Sequence, residues 1–178
     1  TTGNPKGVMV EHLSLVNRFK YMIDFSHITD SDIYLFKTNY TFDASVADIF
    51  IHLLSGSRLI ITIDHFDMVE IKKLLKKYNV NNMHCVPSQF LLLIDSININ
   101  SLTKIHLTGE AVTSNLIKRI PININAYDYY GPTELGEITS NFVEKNKQPS
   151  LGKVFSNSKA YILDNNMAPV PIGVIGEL

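Results

Sequence analysis

Short apolar runs alternate with segments whose apolar residues recur at helical spacing, and this alternation constrains the fold more than any other feature. Residues 33–36 read as a strand. Asp43 then precedes Val46, Ala47, Ile49, Phe50, Leu53 and Leu54, which fall on one broad helical face closed by Gly56. Residues 59–63 form a β-branched strand. Residues 69–78 form an amphipathic helix with Ile71, Leu74, Leu75 and Tyr78 inward and Lys72, Lys73, Lys76 and Lys77 outward. Because the rest of the chain is not basic, the lysine row reads as a solvated face. The pattern continues with strands at 82–86, 105–107 and 122–127 and helices at 88–94 and 113–120. Outside it, 13–23 reads as a helix and 8–10 and 160–163 as strands. Such alternation predicts an α/β fold, with a mostly parallel sheet flanked by helices.

The chain has 178 residues, 45% of them hydrophobic, and a formal net charge of -1. That is enough apolar material for one domain or part of one. The charge gives no footprint for nucleic acid or for an anionic membrane. Cys85 is the single cysteine, which excludes an internal disulfide and a cysteine-based zinc site and fits a reducing compartment. No apolar run approaches the roughly 20 residues that span a bilayer, so no membrane partner and a cytoplasmic location are expected. Thr1 is not an initiator Met, so the native N-terminus is expected upstream. The ININ runs at 97–100 and 122–125 have different flanks and read as compositional bias.

Open parallel sheets bind ligands just beyond the carboxyl ends of their strands. His84, Gly109, Glu110 and residues 129–134 all fall at or just past expected strand ends, so they are expected to share one crevice. The run YYGPTELGE at 129–137 supplies a ring, a hydroxyl and a carboxylate, able to stack on a base, hold a phosphate oxygen and hold Mg2+. The run TTGNPKG at 1–7 supplies hydroxyls, glycines and a lysine, which suit a polyphosphate. It is not a Walker A loop, and by itself reads equally as a surface turn.

TTGNPKG, FDAS at 42–45, TGEA at 108–111, YYGPTE at 129–134 and VIGEL at 174–178 occur in this order. The order resembles the adenylate-forming (AMP-binding) enzymes, and most closely the adenylation domains of nonribosomal peptide synthetases, from end to end. The resemblance implies part of the large N-terminal subdomain of such an enzyme. It also implies a reaction: an amino-acid carboxylate attacks the α-phosphate of ATP, pyrophosphate leaves, and the acyl group passes from the aminoacyl adenylate to the phosphopantetheine thiol of a peptidyl carrier domain. ATP and Mg2+ are the implied cofactors, other synthetase modules the further partners, and antibiotic-type peptide synthesis the setting.

By the same resemblance Thr1, Thr2, Gly3 and Lys6 match the loop on the β- and γ-phosphates. Gly109, Glu110 and Ala111 match the segment against adenine, and Tyr130 the ring stacked on it. Thr133 matches the α-phosphate contact and Glu134 the Mg2+ ligand, making Thr133, Glu134 and Lys6 the implied catalytic set. Asp128 stands where the family usually has Asn beside the adenine amine; a carboxylate can accept from that amine but cannot donate.

Asp43 matches the residue that pairs the substrate's α-ammonium, a charge that needs a counter-charge in a pocket. On spacing alone it reads as a helix N-cap, and each carboxylate oxygen can serve one role. The matching side-chain pocket is Ala44, Ala47, His84, His106, Thr108, Tyr129, Glu137 and Ile138. Small residues at 44 and 47 leave room, while His84, His106, Tyr129 and Glu137 add hydrogen-bonding capacity and one negative charge. An apolar substrate leaves such groups unpaired, at a cost, so a polar side chain is expected, with a cationic one among the options. Core histidines satisfied by backbone are the plain alternative for His84 and His106. His12 reads as structural.

The Ser/Gly residues usual before Thr1, the ribose-binding Asp, the hinge and the C-terminal lid with its Lys have no counterpart here, so a fragment inactive by itself is expected. Two other readings stay open: a stand-alone carboxylate–CoA ligase of the same superfamily, disfavoured by Asp43, and a non-catalytic nucleotide-binding pseudo-domain, disfavoured by Lys6, Thr133 and Glu134.

Overall fold

The computed structural model describes residues 3–4, 6–64, 67–96 and 99–178. Helix α1 (His12–Phe25) leads into β1 (Ile33–Phe36), followed by α2 (Ala44–Ser55), β2 (Arg58–Ile61), α3 (Met68–Tyr78), β3 (Asn82–Cys85), α4 (Pro87–Ser96), β4 (Lys104–Leu107), α5 (Ser114–Arg119), β5 (Asn125–Tyr130), β6 (Thr139–Phe142) and β7 (Lys153–Val154). The described strands form one seven-stranded sheet ordered β2-β1-β3-β4-β5-β6-β7. Strands β1 to β5 pair in parallel, each joined to the next by a helix, as the alternation predicts. Strands β6 and β7 add antiparallel at one edge. From β1 the chain moves to one side for β2 and then returns to the other for β3, so the β1/β3 junction is a topological switch point.

Side chains alternate across a strand, and that period of two sorts the sheet into two faces. Leu35, Met83, Cys85, Ile105, Leu107 and Ala126 join Ile71, Leu75, Phe90, Leu93, Leu116 and Ile117 in the main core, so α3, α4 and α5 cover that face. On the other face Tyr127 and Tyr129 pack with Phe19 and Met22 of α1 and Ala47 and Ile51 of α2. Tyr34, His84 and His106 share this second face, and register places His84 beside His106 and His106 beside Tyr127.

Helix starts follow local chemistry. Asp43 Oδ1 accepts from Ala44 N (2.9 Å), and Asp67 Oδ1 accepts from Val69 N and Glu70 N at the head of α3. Thr113 Oγ1 accepts from Leu116 N at the head of α5. Helix α4 opens on Pro87, where a missing N–H costs nothing. Its Ser88 N and Oγ donate to the Glu110 carboxylate from the β4–α5 loop.

Four expectations need correction. Residues 8–10 form no strand; Met9 is fully exposed and no strand lies alongside. Residues 160–163 make only isolated bridges, from Leu163 to Pro169 and Glu177. The strand expected at 122–127 runs from Asn125 to Tyr130 instead, because Pro121 opens a turn in which Ile124 N donates to Pro121 O. Helix α2 is rotated from its expected face: Phe50, Leu53 and Leu54 are exposed, while Ser45, Asp48 and His52 are buried beside Ala47 and Ile51. Tyr34 and His84 of the sheet meet Asp48, Tyr40 O accepts from Ser45, and Ser57 meets His52, which permits that burial.

Candidate functional site

Two clefts open at the carboxyl ends of the parallel strands. The larger, about 550 Å3, lies over the switch point and gathers Asp43, Ala44, His84, Thr108, Thr133 and Glu137. The second, about 420 Å3, gathers Gly109, Glu110, Ala111, Asp128 and Tyr130 with Pro149 and Leu151. Thr108, Gly109 and Gly131 line both, so the two spaces meet beyond β4 and β5.

The loop after β5 is folded tightly on itself. Gly136 N donates to Pro132 O (2.7 Å), and Ile138 N donates to Tyr130 O (2.9 Å). A Cβ on Gly131 would fall 1.6 Å from Gly136 O. Gly136 has φ +65°, and a Cβ there would fall 1.4 Å from Arg18 Nη1. The glycines therefore let the backbone close and let Arg18, rising from α1, pass beneath it. Arg18 Nη1 reaches Glu137 Oε2 at 3.2 Å, with both side chains about nine-tenths buried. The N–H is not aligned for a hydrogen bond, and Glu137 Oε2 keeps free acceptor capacity.

Behind the larger cleft lies an inner pocket of about 20 Å3, walled by Ala44, Ala47, Asp48, His84, His106 and Glu137 among others. Asp48 Oδ1 accepts from Tyr34 Oη (2.5 Å), and Asp48 Oδ2 accepts from Thr38 Oγ1 and lies 3.2 Å from His84 Nδ1. Burial pushes the Asp48 carboxyl up, but the His84 ring and the hydroxyls of Thr38 and Tyr34 outweigh it and hold it at about 2. His106 is held down at about 3, by burial first and then by His84 and His52. Among the described residues both ring nitrogens of His106 and Nε2 of His84 are buried without a partner. Neither histidine is satisfied by backbone.

The structure distributes the other expected residues unevenly. Asp43 lines the cleft mouth while its Oδ1 caps α2. Ala47 reaches only the inner pocket. The Tyr129 hydroxyl is bonded to Ser26, so this residue offers the inner pocket its ring; the hydrogen-bonding role expected for it does not hold. Ile138 lines a different cleft, with Asn17, Arg18 and Leu135. The Glu110 carboxylate is taken up by Ser88. Burial pushes the Asp128 carboxyl up to about 7 against a lowering hydrogen bond from Tyr129 N. Glu134, Gly3 and Lys6 are exposed. Thr1 and Thr2 lie outside the described residues.

Arg18, Lys37, Asp48 and Tyr34 were missed in the sequence. Lys37 is buried at the end of β1, where Nζ donates to Gln89 Oε1 (2.6 Å) and burial lowers its pKa. Asp48 and His52, four residues apart amid apolar neighbours, were the available signal of a polar stripe on an inward helix face. Cys85 also lines the large cleft, but burial pushes its thiol up to about 12, which makes it inert.

Three comparisons bear on this geometry. The model of the AMP-binding enzyme family matches residues 1–178. Bacitracin synthase 3 from Bacillus licheniformis is 35% identical over all of this chain and 3% of its own length. Vanchrobactin synthetase VabF from Vibrio anguillarum is 34% identical over all of this chain and 7% of its own length. The chain thus spans a small part of the curated relatives it matches. The crystal structure of the nonribosomal peptide synthetase FmoA3 in its AMPPNP-bound form superposes with a TM-score of 0.84 over 94% of this chain and 20% of that one, at 24% identity, a likeness of fold. On the match of its whole length, this chain belongs to the AMP-binding enzyme family.

Proposed function

We propose that the chain is part of an adenylation domain in a longer peptide synthetase, and that it activates an amino acid with ATP for loading onto a carrier domain. The observation that carries this reading is the joining of Asp43 and Thr133 in one cleft that meets, at Thr108, Gly109 and Gly131, a second cleft beside Tyr130. A carboxylate at the mouth suits an ammonium. The second cleft, about 420 Å3 and bordered by Gly109 and Gly131, has the size to take adenine.

In the proposed reaction an amino-acid carboxylate oxygen bonds to the α-phosphorus of ATP as the bond to the pyrophosphate oxygen breaks. A carrier thiol then bonds to the acyl carbon, AMP departs, and the thiol proton is lost to solvent. Asp43 orients the ammonium, Tyr130 and Ala111 position the base, and Thr133 donates to a phosphate oxygen. These are positioning and charge-stabilising roles, which carry most of the catalysis in phosphoryl transfer.

Among the described residues no three His, Cys, Asp or Glu side chains cluster to cage a metal. Exposed Glu134 suits a Mg2+ that takes its remaining ligands from phosphates and water. Bound there, the ion would offset charge on the phosphates. Lys6, Thr1 and Thr2 are assigned to the same phosphates by their place in the loop motif.

The pocket favours a polar side chain. Because Arg18 already offsets Glu137, a neutral polar group suits it better than a cation. The test is ATP–pyrophosphate exchange by the synthetase carrying this chain, across a panel of amino acids. Exchange dependent on polar amino acids is expected. Thioester formation on free CoA from acids lacking an α-amine would favour the ligase reading, and nucleotide binding without exchange the pseudo-domain.

A further inference from the structure

We infer that Asp48 is a positioning residue for the substrate's side chain: it holds the His84 ring so that Nε2 is offered as a hydrogen-bond acceptor, and the pocket thereby selects an amino acid whose side chain ends in a neutral donor–acceptor group, a hydroxyl or a carboxamide. The inference rests on the adenylation reading and deepens it.

The argument starts on α2. Asp48 is 7% exposed and sits on the inward face of the helix, one turn below the Ala44 that borders the cleft. A lone carboxylate there would be costly, yet its oxygens meet Tyr34 Oη, Thr38 Oγ1 and His84 Nδ1. The two hydroxyls can donate, Tyr34 from within β1 and Thr38 from two residues past its end. The ionised carboxylate then requires the proton on His84 Nδ1. A carboxylate behind one imidazole nitrogen sets the tautomer and the aim of the other.

Among the described residues His84 Nε2 has no partner, and His84 is 8% exposed. Such a buried polar atom calls for one. It stands in the wall shared by the inner pocket and the large cleft. His106, its neighbour in register, is neutral by the burial that depresses it and has two unpartnered nitrogens of its own. A neutral ring supplies one donor and one acceptor. Arg18 already faces Glu137, and Lys37 donates to Gln89 Oε1. The partner that satisfies both rings therefore carries donor and acceptor without net charge. The inner pocket of about 20 Å3 admits a water-sized group such as a hydroxyl, while a carboxamide would meet His84 from the large cleft.

The experiment uses the full synthetase with Asp48→Asn, His84→Ala and the double variant. Amino-acid-dependent pyrophosphate exchange is read as the ratio of kcat/KM for the best-activated amino acid to that for its isostere lacking the polar group, such as threonine against valine or glutamine against methionine. Each single variant is expected to lower the ratio at least about tenfold. The double variant should lose no more than His84→Ala, because Asp48 acts through His84. The KM for ATP should stay constant while the amino-acid KM rises more than kcat falls. Additive losses, an unmoved ratio, or a wild-type preference for the apolar isostere overturns the inference and leaves adenylation standing. Absence of exchange with every amino acid overturns the adenylation reading, and this one with it. Should Asp48→Asn not fold, imidazole 15N shifts of the wild type decide: Nδ1 protonated and Nε2 bare supports the inference, and the reverse overturns it.

Discussion

Arg18 on the first helix and Glu137 at the end of the loop after β5 form a buried charge pair, Nη1 to Oε2 at 3.2 Å, beneath a glycine that leaves the guanidinium room to pass. The pair ties α1 to the wall of the large cleft. Removing one partner leaves the other charged, buried and alone. Arg18→Leu is therefore expected to cost about 3–5 kcal/mol, read from urea midpoints, and Glu137→Gln in that background should recover much of it. Equal stability of Arg18→Leu and wild type would show that the pair bears no strain on removal.

The same passage makes Gly136 intolerant. An added methyl would overlap Arg18 Nη1 at 1.4 Å and hold a left-handed φ of +65°. Gly136→Ala should lower the melting temperature and raise the KM for amino acid, because the loop that carries Thr133 and Glu137 must shift. The control is Gly173→Ala: φ there is +90°, but nothing lies within 4 Å of the added carbon. Its effect should stay near the about 1–2 kcal/mol of backbone strain alone.

Thr133, Glu134 and Glu137 are neighbours in sequence with different surroundings. Glu134 is exposed at the loop, whereas Glu137 is packed against Arg18 and the inner pocket. Glu134→Ala is expected to abolish pyrophosphate exchange with folding intact. Glu137→Gln, which keeps an acceptor for Arg18, should leave exchange measurable and change which amino acids support it. Parallel loss of rate in both, with no change in selectivity, would count against this division.

Asp128 should leave a signature in stability against pH. Its folded pKa is raised to about 7 by burial, against an unfolded value of about 3.9. Between those values the folded state holds a proton that the unfolded state has released, so this group's contribution to stability falls as pH rises towards 7. His106 and His52, held down at about 3 and about 4, act with the opposite sign below about 6.5. Comparing wild type with Asp128→Asn isolates the carboxyl: the variant should gain most, relative to wild type, above pH 7. Melting curves at pH 5 and pH 8 decide it, and an equal difference at both would refute the assignment.

Much of this architecture was legible from period alone. The lysine-faced α3, the strand at 33–36 and the parallel order of strands followed from spacing that repeats over several residues. Strands β6 and β7 left no such trace, because TSNF and KV carry too little apolar pattern; pairing with β5 makes them strands. Residues 8–10 failed for the converse reason, having apolar side chains but no strand beside them.

By itself the sequence determined which chemical groups the site contains and in what order along the chain: a carboxylate at 43, imidazoles at 84 and 106, and the glycine-bounded loop from 131 to 136. Only the tertiary structure decided which atoms of those groups remain free. Tyr129 gives its hydroxyl to Ser26, Glu110 its carboxylate to Ser88, and Glu137 its charge to Arg18, while His84 keeps Nε2 because Asp48 faces Nδ1. Those partners lie between 22 and 119 residues apart. Local periodicity carries no information on pairings of that range; packing of α1 and α2 on one sheet face and of α4 on the other sets them.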